Sequence, residues 1–286
     1  MFALITTPTA LNDADQDAIR QLAETIAATD GGQPLSDQGR INLSSLEVTH
    51  VVARCGSQIT GYAQLNPSPG AAAAVEVLGE PSAIDALLDT VQHNCREIDL
   101  WAHGQGSRLI EFAERRGYIR ARVLSQLRWP VGDLPAPSLP AGVSLRSFVP
   151  GQDEDAWLAV NAAAFVHHPE QGGWTRDDLL RREAANWFDP ASFLLAEQDG
   201  EVIGFHWTKV HTPTLGEVYV IGVAPRAQRM HLGTALLVAG LAHLRRGGST
   251  EVMLYVDESN TTAMAMYERF GFLRFDHDIQ YRYTHG

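Results

Sequence analysis

Cysteine is nearly absent from the chain, with 2 in 286 residues, Cys55 and Cys95, forty positions apart. That spacing supports neither a disulfide framework nor a clustered zinc site, and both thiols read as small core residues. Positive charge is scarce as well: Lys and Arg number 22 against 34 Asp and Glu, a formal charge of −12. A balance so acidic excludes general attraction to nucleic acid or to an anionic membrane. No run of about 18 apolar residues occurs, and the start, MFALITTPTALNDADQDAIR, lacks a basic segment leading into a long apolar one. A cytoplasmic protein is the expectation. What remains is globular in composition, 45% hydrophobic and 20% charged, and at roughly 150 residues per domain it suggests two domains.

Four of the 14 prolines fall within residues 130–140, a density that favours extended backbone and reads as a linker over 131–140. The same order recurs on either side of it. VVARCGSQITGYAQL at 51–65 lies over LLAEQDGEVIGFHWT at 194–208, with Gly61 opposite Gly204. Each is two short apolar runs about a Gly-containing turn, the pattern of a β-hairpin. LIEFAERRGYIR at 109–120 lies over AMAMYERFGFLR at 263–274, in each case a helix stopped by Gly before an aromatic-led strand. Domains at 1–130 and 141–286 are therefore expected to be two copies of one fold. In the second, strands are expected at 143–148, 192–198, 201–211, 215–223, 251–256 and 272–283. Helices are expected at 152–164, 175–187, 230–246 and 260–269, and in the first half near 13–28, 82–95 and 104–116. The fold class is α+β (mixed α/β), a mostly antiparallel mixed sheet flanked by helices in each half.

The segment GEVYVIGVAPRAQRMHLGTALL at 216–237 carries the densest chemical signal. An apolar strand stops at Pro225, a basic and polar loop follows, and a helix begins near Gly233. Backbone N–H groups at such a helix start, with the dipole behind them, suit a pyrophosphate. An ordinary strand–loop–helix turn can carry Gly and Arg too. Downstream, DESNTTAMAMYERFGF at 257–272 gives an Asn-started helix with a Tyr, then Gly-Phe.

The two stretches together resemble the GNAT-type acyl-CoA-dependent N-acetyltransferases, whose acyl-CoA motif reads Gln-x-x-Gly-x-Gly. The resemblance implies that Gln228, Arg229, Met230, His231, Leu232, Gly233 and Thr234 hold the pyrophosphate of acetyl-CoA. Asn260, Thr261, Thr262, Ala263, Met264 and Ala265 would border its pantetheine arm, and backbone N–H groups of Ile221, Gly222 and Val223 would receive the thioester oxygen. His231 stands where the motif has its first Gly. Left-handed backbone there would strain a non-Gly residue by about 1 kcal/mol, whereas an imidazole aimed at a phosphate would add a contact, with Arg226 and Arg229 beside it.

HPEQGGWT at 168–175, WFDP at 187–190 and GFHWTKVH at 204–211 further resemble the mycothiol synthases, tandem GNAT enzymes that acetylate the cysteinyl amine of Cys-GlcN-Ins. By that resemblance Glu217 is the general base, with a solvent-facing strand carboxylate as the alternative, and Tyr267 is the acid for the departing thiolate. Asp37, Glu170, Lys209 and Tyr255 match positions that contact the pseudodisaccharide, as does Glu217, and Asp37 stands where the family has Glu. A lone Lys in a strand is more often solvated. Adjacent His167 and His168 do not converge on a metal, so none is expected. Trp174 and Trp187 read as core or pocket wall.

The first half departs from the pattern. AAAAVEVLGEPSAIDALLDTV at 71–91 has no basic Gly-rich loop, and Ala113 replaces Tyr267 in the repeat, so a domain degenerate for acetyl-CoA is expected. The chain is expected to act as a monomer on a small molecule. The competing readings are a GNAT acting on another small amine or a protein N-terminus, and a regulatory module that binds acyl-CoA without turnover.

Overall fold

A computed structural model describes residues 3–67, 72–166, 168 and 171–285. The first half contains β1 (Leu4–Thr6), α1 (Asp13–Asp30), α2 (Asp37–Ile41), β2 (Thr49–Cys55), β3 (Gln58–Asn66), β4 (Ala73–Gly79), α3 (Pro81–Asn94), β5 (Glu97–Ala102), α4 (Leu109–Arg115) and β6 (Ile119–Pro130). The second contains β7 (Val143–Ser147), α5 (Glu154–Ala164), α6 (Arg176–Glu183), β8 (Phe193–Gln198), β9 (Glu201–Val210), β10 (Leu215–Val223), α7 (Leu232–Arg246), β11 (Glu251–Asp257), α8 (Thr261–Arg269) and β12 (Leu273–Thr284). Both predicted hairpins form, β2–β3 and β8–β9, and both Gly-stopped helices end as expected, with Gly117 and Gly271 at φ of 78° and 90°.

Two compact units result, one of residues 1–125, 257–259 and 276–286, the other of 126–256 and 260–275. In the first unit the sheet order is β1-β2-β3-β4-β5-β12. Its pairs are antiparallel except β4 with β5. One face packs against α3 and α4 through Val51, Val75, Leu87 and Leu100, the other against α1 through Ile19, Val52 and Tyr62. α1 owes its limits to Asn12, whose side chain accepts from Asp15 N, and to Gly31 at φ 80°. In the second unit the order is β7-β8-β9-β10-β11-β6, parallel between β10 and β11. Trp157, Phe193, Phe205 and Trp207 fill the layer beneath α5, while Leu237, Leu241, Leu254 and Tyr267 fill that beneath α7 and α8.

The partition differs from the expected 1–130 and 141–286 at the ends of the repeats. β12 runs antiparallel to β5, from Ile279↔Ala102 to Thr284↔Glu97, and buries Ile279 and Tyr281 in the first unit's core. Residues 126–130 fall in the second unit, where Leu127 and Trp129 join the core. Each repeat thus gives the end of its last strand to the other unit. The stretch 131–140 has no regular structure, yet it is fastened rather than loose: Val131 N donates to Thr250 O, Arg245 reaches Gly132 O, and Val131 and Leu134 pack on the core. A cut there would strip 126–130 from the second unit and leave 276–286 without β5. The cysteines also differ from expectation. Both are half-buried, Cys55 at the end of β2 and Cys95 at the C-cap of α3, because each lies where an element leaves the core.

Candidate active site

In the second unit, β10 is paired with β9 along its length, from Gly216↔Val210 to Val223↔Gly204. Toward β11 the register covers only Leu215↔Glu251, Gly216↔Val252 and Glu217↔Met253. Beyond Glu217 the parallel strands part, so alternate N–H groups of residues 218–223 face an opening instead of a neighbouring strand. Ile221, Gly222 and Val223 form the far end of that opening. A Cβ on Gly222 would meet Phe205 Cε1 and Cζ at 2.8 Å, so core packing requires glycine there. A bulge at Tyr219, between Val218 and Val220, twists the strand in the same region.

Past Val223 a single helical turn at Pro225–Ala227 leads to a loop in which Arg229 and His231 have φ of 67° and 60°. His231 is the N-cap of α7 and makes no side-chain cap hydrogen bond. Gln228, Arg229, Met230, His231 and Thr234 are exposed, while Leu232 anchors the helix in the core. A Cβ on Gly233 would meet nothing nearer than Val223 Cγ2 at 3.8 Å. The protein's own packing does not demand glycine there, and the helix start stays bare, as an approaching phosphate requires. α7 is held by a feature sequence reasoning missed. Burial pulls the imidazole of His206 down to about 4, so it is neutral, and its Nδ1–H donates to Leu236 O at 2.7 Å. The ring occupies the space a side chain on Gly240 would need. Arg226 was expected to serve the loop, but it is paired with Glu201 at the start of β9.

His231 adopts left-handed backbone, which costs a non-Gly residue about 1 kcal/mol. His231→Gly should therefore change stability by no more than about 1 kcal/mol, and titration with CoA tests whether the imidazole meets a phosphate as the family resemblance implies. We expect calorimetric titration of CoA to show weaker binding by the Gly variant and a shallower salt dependence. Tighter binding would mean that the ring obstructs the loop.

The opposite side of the opening carries charge on aromatic faces. Lys209, the chain's single lysine, is only 5% exposed, with Nζ 4.6 Å from the Trp187 ring centroid and 5.5 Å from that of Tyr219. The alternative of a solvated strand Lys does not hold, since the side chain is buried among rings. Arg182, also buried, stacks on Trp174 at 3.7 Å and donates through Nε to the Tyr219 hydroxyl at 3.0 Å. Glu217 lies opposite Lys209 in register, is 6% exposed, and has Oε2 2.7 Å from His211 Nε2. It is not a solvent-facing carboxylate. Neither Arg182 nor His211 was marked by sequence reasoning. His211 could have been, since it follows Lys209 by two residues, just past a strand that pairs with Glu217.

Tyr255 is two residues beyond Met253 on β11 and so projects from the same sheet face as Glu217. It is 41% exposed, and its hydroxyl accepts from Gln126 Nε2 at 2.7 Å. Asn260 caps α8 by accepting from Ala263 N at 3.1 Å; Thr261, Thr262 and Ala265 are exposed, Ala263 is half-buried and Met264 is buried. Tyr267 is buried edge-on to Phe272, which pushes its phenol well above the ordinary value by desolvation. It therefore stays protonated. Glu170 and His167 lie outside the described residues. Asp37 belongs to the first unit, half-buried in the first turn of α2, where Ser36 caps by accepting from Gly39 N.

The first unit is built differently at the matching place. β4 ends at Gly79 and α3 starts at Pro81, so Glu80 alone connects them. The cavity beside it, lined by Gly79, Ile84, His103 and Arg108 among others, holds about 10 Å³, the room of one water.

Residues 159–272 match the sequence profile of the Acetyltransferase (GNAT) family. The chain is 45% identical to the mycothiol acetyltransferase of Thermomonospora curvata, with 95% of each chain covered. It is 46% identical to that of Streptomyces coelicolor, over 95% of this chain and 93% of that one. In three dimensions it is similar to a tandem GNAT protein from the clavulanic acid biosynthesis pathway, with a TM-score of 0.73, 17% identity and 99% of each chain covered.

Proposed function

The chain belongs to the mycothiol acetyltransferase family, and on that premise we propose that it transfers the acetyl group of acetyl-CoA to the cysteinyl amine of Cys-GlcN-Ins. The observation that carries this reading is Glu217, a buried carboxylate placed where β10 and β11 part. Acyl transfer to an amine needs a base for the ammonium, donors for the developing oxyanion and an acid for the thiolate. Glu217 takes the amine proton, directly or through water. The nitrogen then bonds to the thioester carbon, and N–H groups among Ile221, Gly222 and Val223 receive the charge on oxygen. Collapse breaks the C–S bond, Tyr267 protonates the sulfur, and the second N–H proton of the attacking nitrogen leaves to water, from which the Tyr267 phenolate recovers its proton.

The bare start of α7 and the loop 228–234 fit the cosubstrate's pyrophosphate, and the exposed first turn of α8 fits its pantetheine arm. Lys209 and Tyr255 are the candidates for the acceptor's hydroxyls, since convergent polar groups in an aromatic setting suit a sugar. Asp37 and Glu170 are candidates from the family resemblance. The one-residue β4–α3 connection favours a first unit that holds no acetyl-CoA of its own.

Comparing kcat/KM for Cys-GlcN-Ins with that for a peptide bearing an N-terminal Cys tests the acceptor, with the pseudodisaccharide compound expected to be strongly preferred. Equal values would favour another amine. Tyr267→Phe should lower kcat by about 10² or less and leave KM for acetyl-CoA near its original value. Kinetics unchanged from wild type would make Tyr267 a packing residue.

A further inference from the structure

The Glu217 carboxylate has two oxygens, and one of them is already held. His211 follows β9, where its backbone N–H donates to Leu215 O at 2.9 Å across the mouth of the β9–β10 hairpin. Its side chain is 30% exposed against 8% for that of Glu217, so the imidazole stands between the buried carboxylate and water. Nε2 lies 2.7 Å from Oε2, a charge-assisted contact. We propose that His211 is the positioning residue for the base. Its Nε2–H fixes Oε2, sets the plane of the carboxylate, and leaves Oε1 as the oxygen that receives the amine proton.

The proton balance is simple. The ammonium N–H bond breaks, an O–H bond forms on Oε1, and the proton later leaves Oε1 to water, while Nε2–H stays on the ring throughout. Lys209, opposite Glu217 in register, has its Nζ over Trp187 and Tyr219, and the imidazole approaches the carboxylate from the hairpin side. A carboxylate free to rotate would present its lone pairs to the amine only part of the time, and misplacement of a reacting group by about 1 Å can cost up to about 10²-fold in rate.

This inference rests on Glu217 being the base, and the test separates the two. Acetylated product is quantified by mass spectrometry for wild type, His211→Ala, His211→Gln, Glu217→Gln and the Glu217→Gln/His211→Ala double variant. The proposal expects His211→Ala to lower kcat by about tenfold to a hundredfold with KM for acetyl-CoA unchanged. Gln at 211 offers an amide donor near the position of Nε2 and should restore much of the loss, as should free imidazole added to the Ala variant. On the Glu217→Gln background the Ala substitution should cost nothing further, because the two act as one unit. Full kcat in His211→Ala, a loss that neither Gln nor imidazole repairs, or the same loss on the Glu217→Gln background would overturn the positioning role while leaving the base in place. Full kcat in Glu217→Gln would overturn the base itself.

Discussion

Glu217→Gln is expected to lower kcat by about 10²-fold or more while CoA affinity stays near that of wild type, since the loop 228–234 proposed for the pyrophosphate is untouched. The substitution is nearly isosteric, and its amide oxygen can still accept from His211, so the hairpin geometry persists and only basicity is lost. Pre-steady-state or steady-state rates across pH make the assignment sharper. An α-amine with an ordinary pKa near about 8 loses its proton to water without help at higher pH. The defect should therefore shrink as pH rises past that value. A variant with wild-type rates at neutral pH would remove Glu217 from the mechanism.

The largest expected stability effect lies in the first unit, in a cluster that plays no part in the proposed chemistry. His103, just past β5, has Nδ1 2.8 Å from Asp278 Oδ2 on β12 and Nε2 3.2 Å from Glu76 Oε1 on β4. Glu76 also accepts from Gln64 Nε2 at 2.8 Å and from Ser36 N at 3.3 Å. Burial alone would lower the imidazole pKa, but Asp278 and Glu76 outweigh it and push His103 up to about 10. Burial raises Glu76, yet His103, Ser36 and Gln64 together hold it below the usual carboxylate range. His103→Leu would leave the buried Glu76 and the half-buried Asp278 without their cation, at a cost of about 3–5 kcal/mol.

The pH dependence has a definite sign. An imidazole whose pKa rises on folding stabilises fully below its unfolded value of about 6.5, and that stabilisation fades as pH climbs through about 10. Glu76, depressed on folding, stabilises above the ordinary carboxylate range and loses the effect as pH falls through its lowered value. Denaturant unfolding of the wild type should therefore show stability declining from about pH 7 toward pH 10, and His103→Leu should lack that slope. An equal slope in both proteins would exclude the cluster as its origin.

Much of this molecule was legible because its signals are local. Short apolar runs about the Gly-containing turns at Gly56 and Gly200 specified the hairpins, and Gly117 and Gly271 marked the helix ends, since each depends only on neighbours in sequence. The exchange of β6 and β12 was not legible. IRARVLSQLRWP and LRFDHDIQYRYT are similar strands, and nothing local says which sheet each completes. The five-residue α2 was missed because one helical turn has no periodicity to read. At the site, the strand–loop–helix and the Asn-started helix were visible from their residue types. Burial of Lys209 and its pairing opposite Glu217 depend on the register of β9 and β10 and on the bulge at Tyr219, which a one-dimensional pattern does not encode. His103, between Glu76 and Asp278, joins positions 27 and 175 residues apart, beyond any sequence window.

The proposed acceptor carries a free thiol beside the amine that receives the acetyl group. The most direct measurement is mass spectrometry of the product formed from acetyl-CoA and Cys-GlcN-Ins, coupled to titration of the product's thiol. The expected product is heavier by one acetyl group, and its thiol still reacts fully. A bound but untransformed acetyl-CoA, or a product in which the acetyl group sits on sulfur, would contradict it.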